Sequence, residues 1–286
     1  MTMQLGNFTI DWVSAGRFKL DGGAMFGPVP KTLWSRKIEA DEKNLIPMGL
    51  NCMLITTPQG RVLLDTGIGN KMTEKQAKIF ALEHPPTIES SLAAKGLTPE
   101  DIDHVVLSHC DFDHLGGATK LAEGGRIVPA FPKATYHIRK EEWEDLTHPN
   151  QRSKSTYFAE NWQAIEEAGL VKLIERDGEI LPGIATYHTG GHTRGHVVTQ
   201  ITSGDEGAVY MGDLMPTHHH LNPLWVMAYD NFPMTSIEQR GAWTRTIAER
   251  DWWLLFYHDV ELGAGRWGID GEQKATMPLS PEPATV

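Results

Sequence analysis

Four short apolar runs in this chain each give way to a loop that concentrates histidine, aspartate and glycine within a few positions. They are "HVVLSHCDFDHLGG" (104–117), "ATYHTGGHTRGH" (185–196), "AVYMGDLMPT" (208–217) and "WLLFYHDV" (253–260). Runs of this length and apolar content read as buried strands. Strand ends that converge on one edge of a sheet are where loops can be specialised while the scaffold stays rigid. The pattern therefore favours a sheet-based fold with its chemistry gathered at one edge.

In the first loop, His109, Asp111 and Asp113 are spaced by two and His114 follows directly, so an extended turn would aim the first three inward while Cys110 and Phe112 point elsewhere. Gly116 and Gly117 would then let the backbone turn tightly. Adding His192, Asp213 and His258 gives seven nitrogen or oxygen donors, enough for two metals of about four protein or water ligands each. A lone histidine is ordinarily a surface or core residue and a lone Gly-Asp ordinarily a turn. The metal reading rests on the four stretches together.

Around these loops, "NCMLITTP" and "RVLLDTG" read as strands paired about the turn at Pro58-Gln59-Gly60. Helices are predicted at 73–83 and 87–95, and Thr98 with Pro99 offers an N-cap and N1 ahead of a strand at 104–108. Further strands are expected at 134–138, 171–175, 184–188, 196–202, 207–211 and 253–257, with helices at 139–146, 157–168 and 235–250. This mixture argues for an α/β fold in which helices cover sheets within one domain, 1–267. The segment from Asp21 to Met48 reads either as an ordered arm over a site or interface, offering Met25, Phe26 and Trp34, or as a loop packed on its own core. Residues 268–286, ending "MPLSPEPATV", read as a loose tail.

Lys plus Arg number 26 against 37 Asp plus Glu, a net charge of −11, which repels a phosphate backbone or an anionic membrane surface. No nucleic acid and no membrane are expected as partners. Cys52 and Cys110 are the only cysteines and form no CxxC pair, so neither a disulfide framework nor a cysteine zinc site is suggested. With no basic-then-apolar leader and no run near the ~18 apolar residues of a membrane span, the expected location is cytoplasmic.

The order "LLDTG", HxxxDHxGG, GGHTxGH, a strand ending Gly-Asp and a strand ending His-Asp, covering about Asn51 to Asp259, resembles the metallo-β-lactamase superfamily. The stretch "GDLMPTHHHLNPLWVMAYDNFPMT" (212–235) is similar, more loosely, to its N-acyl-homoserine lactonase and methyl-parathion-hydrolase branch. The resemblance implies a four-layer αβ/βα sandwich with a dinuclear metal site on one edge. The implied roles fall on His109, Asp111 and His192 for one metal, on Asp113, His114 and His258 for the other, and on Asp213 as the bridge. Asp65 of "LLDTG" would orient ligating groups. Asp113 and Asp213 are the implied catalytic carboxylates, and homodimers are common in this branch.

Asp111 departs from the usual histidine. With Asp111, Asp113 and Asp213 ionised, three negative charges and a bridging hydroxide would balance two divalent ions, making a weaker Lewis acid and a more basic hydroxide. Two histidines and a carboxylate accommodate iron or manganese as well as zinc, the first choice. Alternatively Asp111 sits back and leaves a mononuclear or inactive site. His196 and His188 read as supports for their loop. The run His218-His219-His220 invites a metal reading, but three adjacent side chains cannot all face one ion, so it reads first as loop with at most one member, His220, near the cleft. Met25, Phe26, Met215, His220, Trp225, Met227, Tyr229 and Phe232 could line an apolar substrate pocket or be ordinary core.

The function expected is hydrolysis of a lactone or carboxylic ester, the metals polarising the carbonyl while the bridging hydroxide attacks. Phosphotriester hydrolysis on the same site, a non-catalytic ligand-binding protein with a compromised site, and last an iron redox enzyme are the alternatives.

Overall fold

The computed structural model of the protein describes residues 1–279. The chain opens on a hairpin, β1 (Thr2–Leu5) and β2 (Phe8–Asp21), turned at Gly6-Asn7 with Gly6 in the left-handed region at φ +55°. Then come β3 (Leu45–Thr57), β4 (Gly60–Leu64), β5 (His104–Val106), the ribbon β6 (Thr119–Leu121) and β7 (Ile127–Pro129), β8 (Thr135–Arg139) and β9 (Val171–Ile174). The second half supplies β10 (Gly178–Leu181), β11 (Ile184–His188), β12 (Val197–Ser203), β13 (Glu206–Tyr210), β14 (Trp253–Leu255), β15 (Leu262–Trp267) and β16 (Gln273–Pro278).

These strands form two seven-stranded sheets, ordered β1-β2-β3-β4-β5-β8-β9 and β10 through β16 in sequence, with β6-β7 apart. Each sheet is mixed: β4, β5, β8 and β9 run parallel to one another, as do β13 and β14. Adjacent residues of a strand face opposite ways. Thus Ala208 and Tyr210 join the core that holds Leu54, Leu63 and Ile201, while Val209 between them joins a separate core with Val198, Leu254 and Ile247 of the helix Pro233–Glu249. On the first sheet, Ile88 and Leu92 of helix Ile88–Ala93 and Leu146 of helix Lys140–Thr147 are buried. The result is the expected α/β sandwich. Among the described residues no helix is long and apolar enough to cross a membrane.

One open reading is decided and two expectations are corrected. The arm from Asp21 to Met48 is the end of β2, two short helices (Gly22–Phe26 and Lys31–Trp34) and the start of β3, and Met25, Phe26 and Trp34 are each 1% exposed. Phe26 stacks between Trp34 and His220 at ring separations of 5.4 and 4.8 Å. Phe26 and Trp34 are consumed by the chain's own core and Met25 faces the cleft described below, so none of the three offers a partner chain an exposed apolar surface. The tail expected from residue 268 is not loose over 273–278, because β16 pairs antiparallel with β15 and completes that sheet; its remainder, 280–286, lies outside the described residues. The helix expected at 157–168 is a 3-10 turn at Ala159–Asn161 and a short helix at Gln163–Glu167.

Candidate metal centre

The chemistry gathers where β5, β13 and β14 end and β12 begins. After β5 the chain turns through Asp111 into the short helix Phe112–Leu115. Gly116 follows with an ordinary φ of −56°, and the reason for glycine here is space: a Cβ on Gly116 would strike the Ile68 carbonyl, and one on Gly117 the Thr66 carbonyl.

All seven sequence-selected donors converge, and they divide into two sets. In one, Asp111 Oδ2 lies 3.4 Å from both His109 Nε2 and His192 Nε2, and His192 Nε2 lies 3.5 Å from Asp213 Oδ2. In the other, His258 Nε2 lies 3.4 Å from Asp113 Oδ2 and 3.3 Å from Asp213 Oδ1, with His114 Nε2 3.3 Å from the same Asp213 oxygen and 3.8 Å from Asp113 Oδ2. Asp213 gives one oxygen to each set. Donors about 2.1 Å from a tetrahedral ion would sit about 3.4 Å from one another, close to most of these separations. Among the described residues, His109 Nε2, His192 Nε2 and Asp213 Oδ1 are buried without a hydrogen-bond partner. Buried polar atoms are rarely left so, and the donor sets fit divalent metal ions.

Each imidazole is fixed through its other nitrogen, which leaves Nε2 facing the cluster. His114 Nδ1 meets Asp65 Oδ2 at 2.8 Å, His192 Nδ1 meets Asp230 Oδ1 at 2.9 Å, His258 Nδ1 meets the Gly49 carbonyl at 2.9 Å, and His109 Nδ1 meets Ser108 Oγ at 3.0 Å. Asp65 also accepts from the Ser108 amide and hydroxyl and from Tyr210. Tyr257 donates to the Asp113 carbonyl at 2.6 Å.

Charge tells the same story. Burial pulls the His258 imidazole down, yet Asp213 and Asp113 push it up to about 9. His114 and His192 are likewise raised against burial by the carboxylates around them. Burial disfavours the Asp111 carboxylate, but His109 and His192 hold it well below the usual range. A cavity that forces protons onto buried imidazoles attracts divalent cations for the same electrostatic reason.

His196 is not among the donor sets. Burial and the neighbouring histidines hold it neutral, and its Nδ1 pairs with Thr189 Oγ1 at 2.7 Å. His188 binds the Arg194 carbonyl, bracing the same loop. Sequence reasoning missed Asp230 and Glu142. Glu142, 1% exposed, accepts from the Cys110 amide, Tyr157, Thr193 and the Gly195 amide, tying the 109–114 loop to the 189–196 loop. It sits in "KEEWED", where four acids in six residues read as a solvent face and nothing singles it out; Asp230 carries no spacing relation to the donor residues.

Beside the donors opens a cleft of about 470 Å³. Met25 and Tyr229 line it with Leu20, Phe80, Phe112 and Arg152. The other expected pocket residues do not: Phe26, Met215 and His220 are buried in core packing, Trp225 stands edge-on to Phe26, and Phe232 points outward, 45% exposed. Met227 is also core. Phe26, Met215, Trp225 and Met227 serve packing within the chain.

The sequence profile of the metallo-beta-lactamase superfamily matches residues 45–258, which span all seven donors. The chain belongs to the metallo-beta-lactamase superfamily. Within this superfamily it is similar to a solved structure of a probable metal-dependent hydrolase from Staphylococcus aureus, at 39% identity and a TM-score of 0.92 over 98% of this chain and 99% of that one. It is 30% identical over 196 residues to a probable metallo-hydrolase of Mycobacterium tuberculosis, covering 59% of this chain and 58% of that protein. It is 26% identical over 178 residues to an N-acyl homoserine lactonase of a Bacillus species, covering 58% of this chain and 64% of that protein. The chain thus matches less than two thirds of the length of these two curated relatives.

Proposed function

We propose that this protein is a dinuclear metal-dependent hydrolase that opens a lactone or carboxylic ester. The observation that carries the reading is the division of Asp213, one oxygen to each donor set. His109, Asp111, His192 and Asp213 would hold one ion and Asp113, His114, His258 and Asp213 the other, zinc being the first expectation for this mix of nitrogen and oxygen donors. Divalent ions bound there supply Lewis acidity toward a carbonyl oxygen and a water of lowered pKa.

The chain's own residues do the rest. The tethers on each Nδ1 hold the imidazoles ready, so binding costs little reorganisation. The apolar wall of Leu20, Met25, Phe80 and Phe112 excludes water from one side of the cleft, whose volume suits a small molecule. Tyr229 lines the same cleft, and burial with Asp21 nearby pushes its hydroxyl up to about 12, so it keeps its proton and can donate to a substrate oxygen. The N-acyl homoserine lactonase among the relatives supports a lactone as the first substrate to try.

The test is hydrolysis of a panel of N-acyl homoserine lactones, simple γ- and δ-lactones, an aryl acetate and a paraoxon-type phosphotriester, with and without chelator. Chelator-sensitive turnover fastest on a lactone or carboxylic ester is expected. Preference for the phosphotriester, or no turnover with two ions bound, overturns the reading.

A further inference from the structure

Beyond the centre between the sheets, the run His218-His219-His220 does not behave as one unit. Thr217 caps its 3-10 turn, and His220 turns inward to the Met25 carbonyl at 2.9 Å. His218 and His219 turn the other way, their rings 3.8 Å apart, and face Glu261 on the turn after β14. His218 Nε2 lies 3.8 Å from the Glu261 carboxylate. One donor atom from each of His218, His219 and Glu261 lies within 4.8 Å of the others.

What distinguishes this trio from a chance surface cluster is its backing. His218 Nδ1 meets Asp259 Oδ2 at 2.6 Å, and Asp259 is 2% exposed and held by the backbone amides of His218, Glu261 and Leu262. This fixes the His218 ring with Nε2 on the side of Glu261. A buried carboxylate on one nitrogen, with the other presented outward, is the arrangement that orients metal-binding histidines, and it repeats what Asp65 does for His114 and Asp230 for His192. The Glu261 carboxylate makes no hydrogen bond among the described residues.

We infer that His218, His219 and Glu261 form a third, separate binding site for a divalent metal ion of the zinc class. Two imidazoles and one carboxylate make a zinc donor set with a fourth position open to water. The 3.8 Å between His218 Nε2 and the Glu261 carboxylate is a little wider than the about 3.4 Å edge of a zinc tetrahedron, and the 59% exposed Glu261 side chain is free to rotate toward an ion. The bound ion would staple the 217–221 turn to the 258–262 turn, whose first residue is His258.

The experiment is equilibrium dialysis of untagged full-length protein against a zinc chloride series, comparing wild type with His219→Ala, Glu261→Gln and the double variant. None of these touches the donors between the sheets. The wild-type isotherm is expected to exceed that of the double variant by one zinc per chain at saturation, each single variant weakening that step at least tenfold. Zinc should also raise the wild-type melting temperature further than the double variant's. Circular dichroism verifies that the variants fold. Identical isotherms for wild type and double variant overturn the inference, whatever the number of ions bound between the sheets, so its failure is distinct from failure of the proposed hydrolase.

Discussion

Replacing Asp111 tests whether the carboxylate in the histidine-rich loop is a ligand. Its Oδ2 sits 3.4 Å from two histidine nitrogens, and it stands at the N-cap of the helix Phe112–Leu115 without making a side-chain cap bond. Asp111→Ala therefore removes one of four donors from its set while costing the helix little. Loss of groups that merely orient ligands lowers metal affinity about 10–100-fold, so losing a donor should cost at least the upper figure, about 2.8 kcal/mol. Chelator competition on metal-loaded protein should show one ion per chain weakened to that degree and the other nearly unchanged, with the chelated protein's unfolding midpoint close to wild type. Asp111→His keeps a donor but removes a negative charge, so it should retain two ions, and activity should rise with pH at a lower pH than in wild type. Two ions held with wild-type affinity by Asp111→Ala would refute the assignment.

Asp230→Ala should weaken the ion at His192 about 10–100-fold, measured by the same competition, while His114 and His258 keep theirs. Phe26→Ala should cost about 3–5 kcal/mol in urea unfolding with KM for the best substrate unchanged, because Phe26 is core; a large KM change with little lost stability would return it to the cleft. In chelated protein, His258, His114 and His192 have raised folded values, so the stability from their protonated forms is complete below the unfolded pKa of about 6.5 and lost as pH rises through about 9 for His258. Urea midpoints should fall across that window without metal and hold steady with it, since ions replace the protons; a flat chelated profile would contradict the charge arrangement.

How far the sequence could be read depended on what each residue does. Ligands were legible because metal binding demands particular residue types at strand ends, and a handful of them close together stand out. The hairpins around the site were legible where turn residues punctuate branched runs, as at Pro58-Gln59-Gly60. The first hairpin carried a comparable cue in Gly6-Asn7 between Leu5 and Phe8 that went unread. Phe26 and Trp34 were opaque for another reason: they lie among prolines and glycines with no periodicity, so nothing in the chain says whether they face a partner, a cleft or each other. Asp230 and Glu142 act only through tertiary contacts, 38 residues from His192 and 32 from Cys110, and no local pattern encodes such pairing. β16 was hidden by the proline-rich stretch it leads into; Pro278 is its last residue, at an edge strand where a missing N–H is tolerated.

Asp65 is where the two donor sets become one structure. It sits directly past the end of β4 at φ +55°, a conformation that costs a non-glycine residue of order 1–3 kcal/mol unless its surroundings impose it. The surroundings here are four hydrogen bonds to one fully buried carboxylate, from the Ser108 amide and hydroxyl, His114 and Tyr210. Through His114 it orients a donor of one set, and through Ser108, whose hydroxyl reaches His109 Nδ1, a donor of the other. Tyr210 ends β13, three residues before Asp213, so the same carboxylate also ties the first sheet to the strand that delivers the bridge. Asp230 by contrast hydrogen-bonds to His192 and the Met227 amide among the described residues. One tether serves a single donor, whereas the other couples both sets, and that coupling makes two donor sets, each drawn from both sheets, a single preorganised centre.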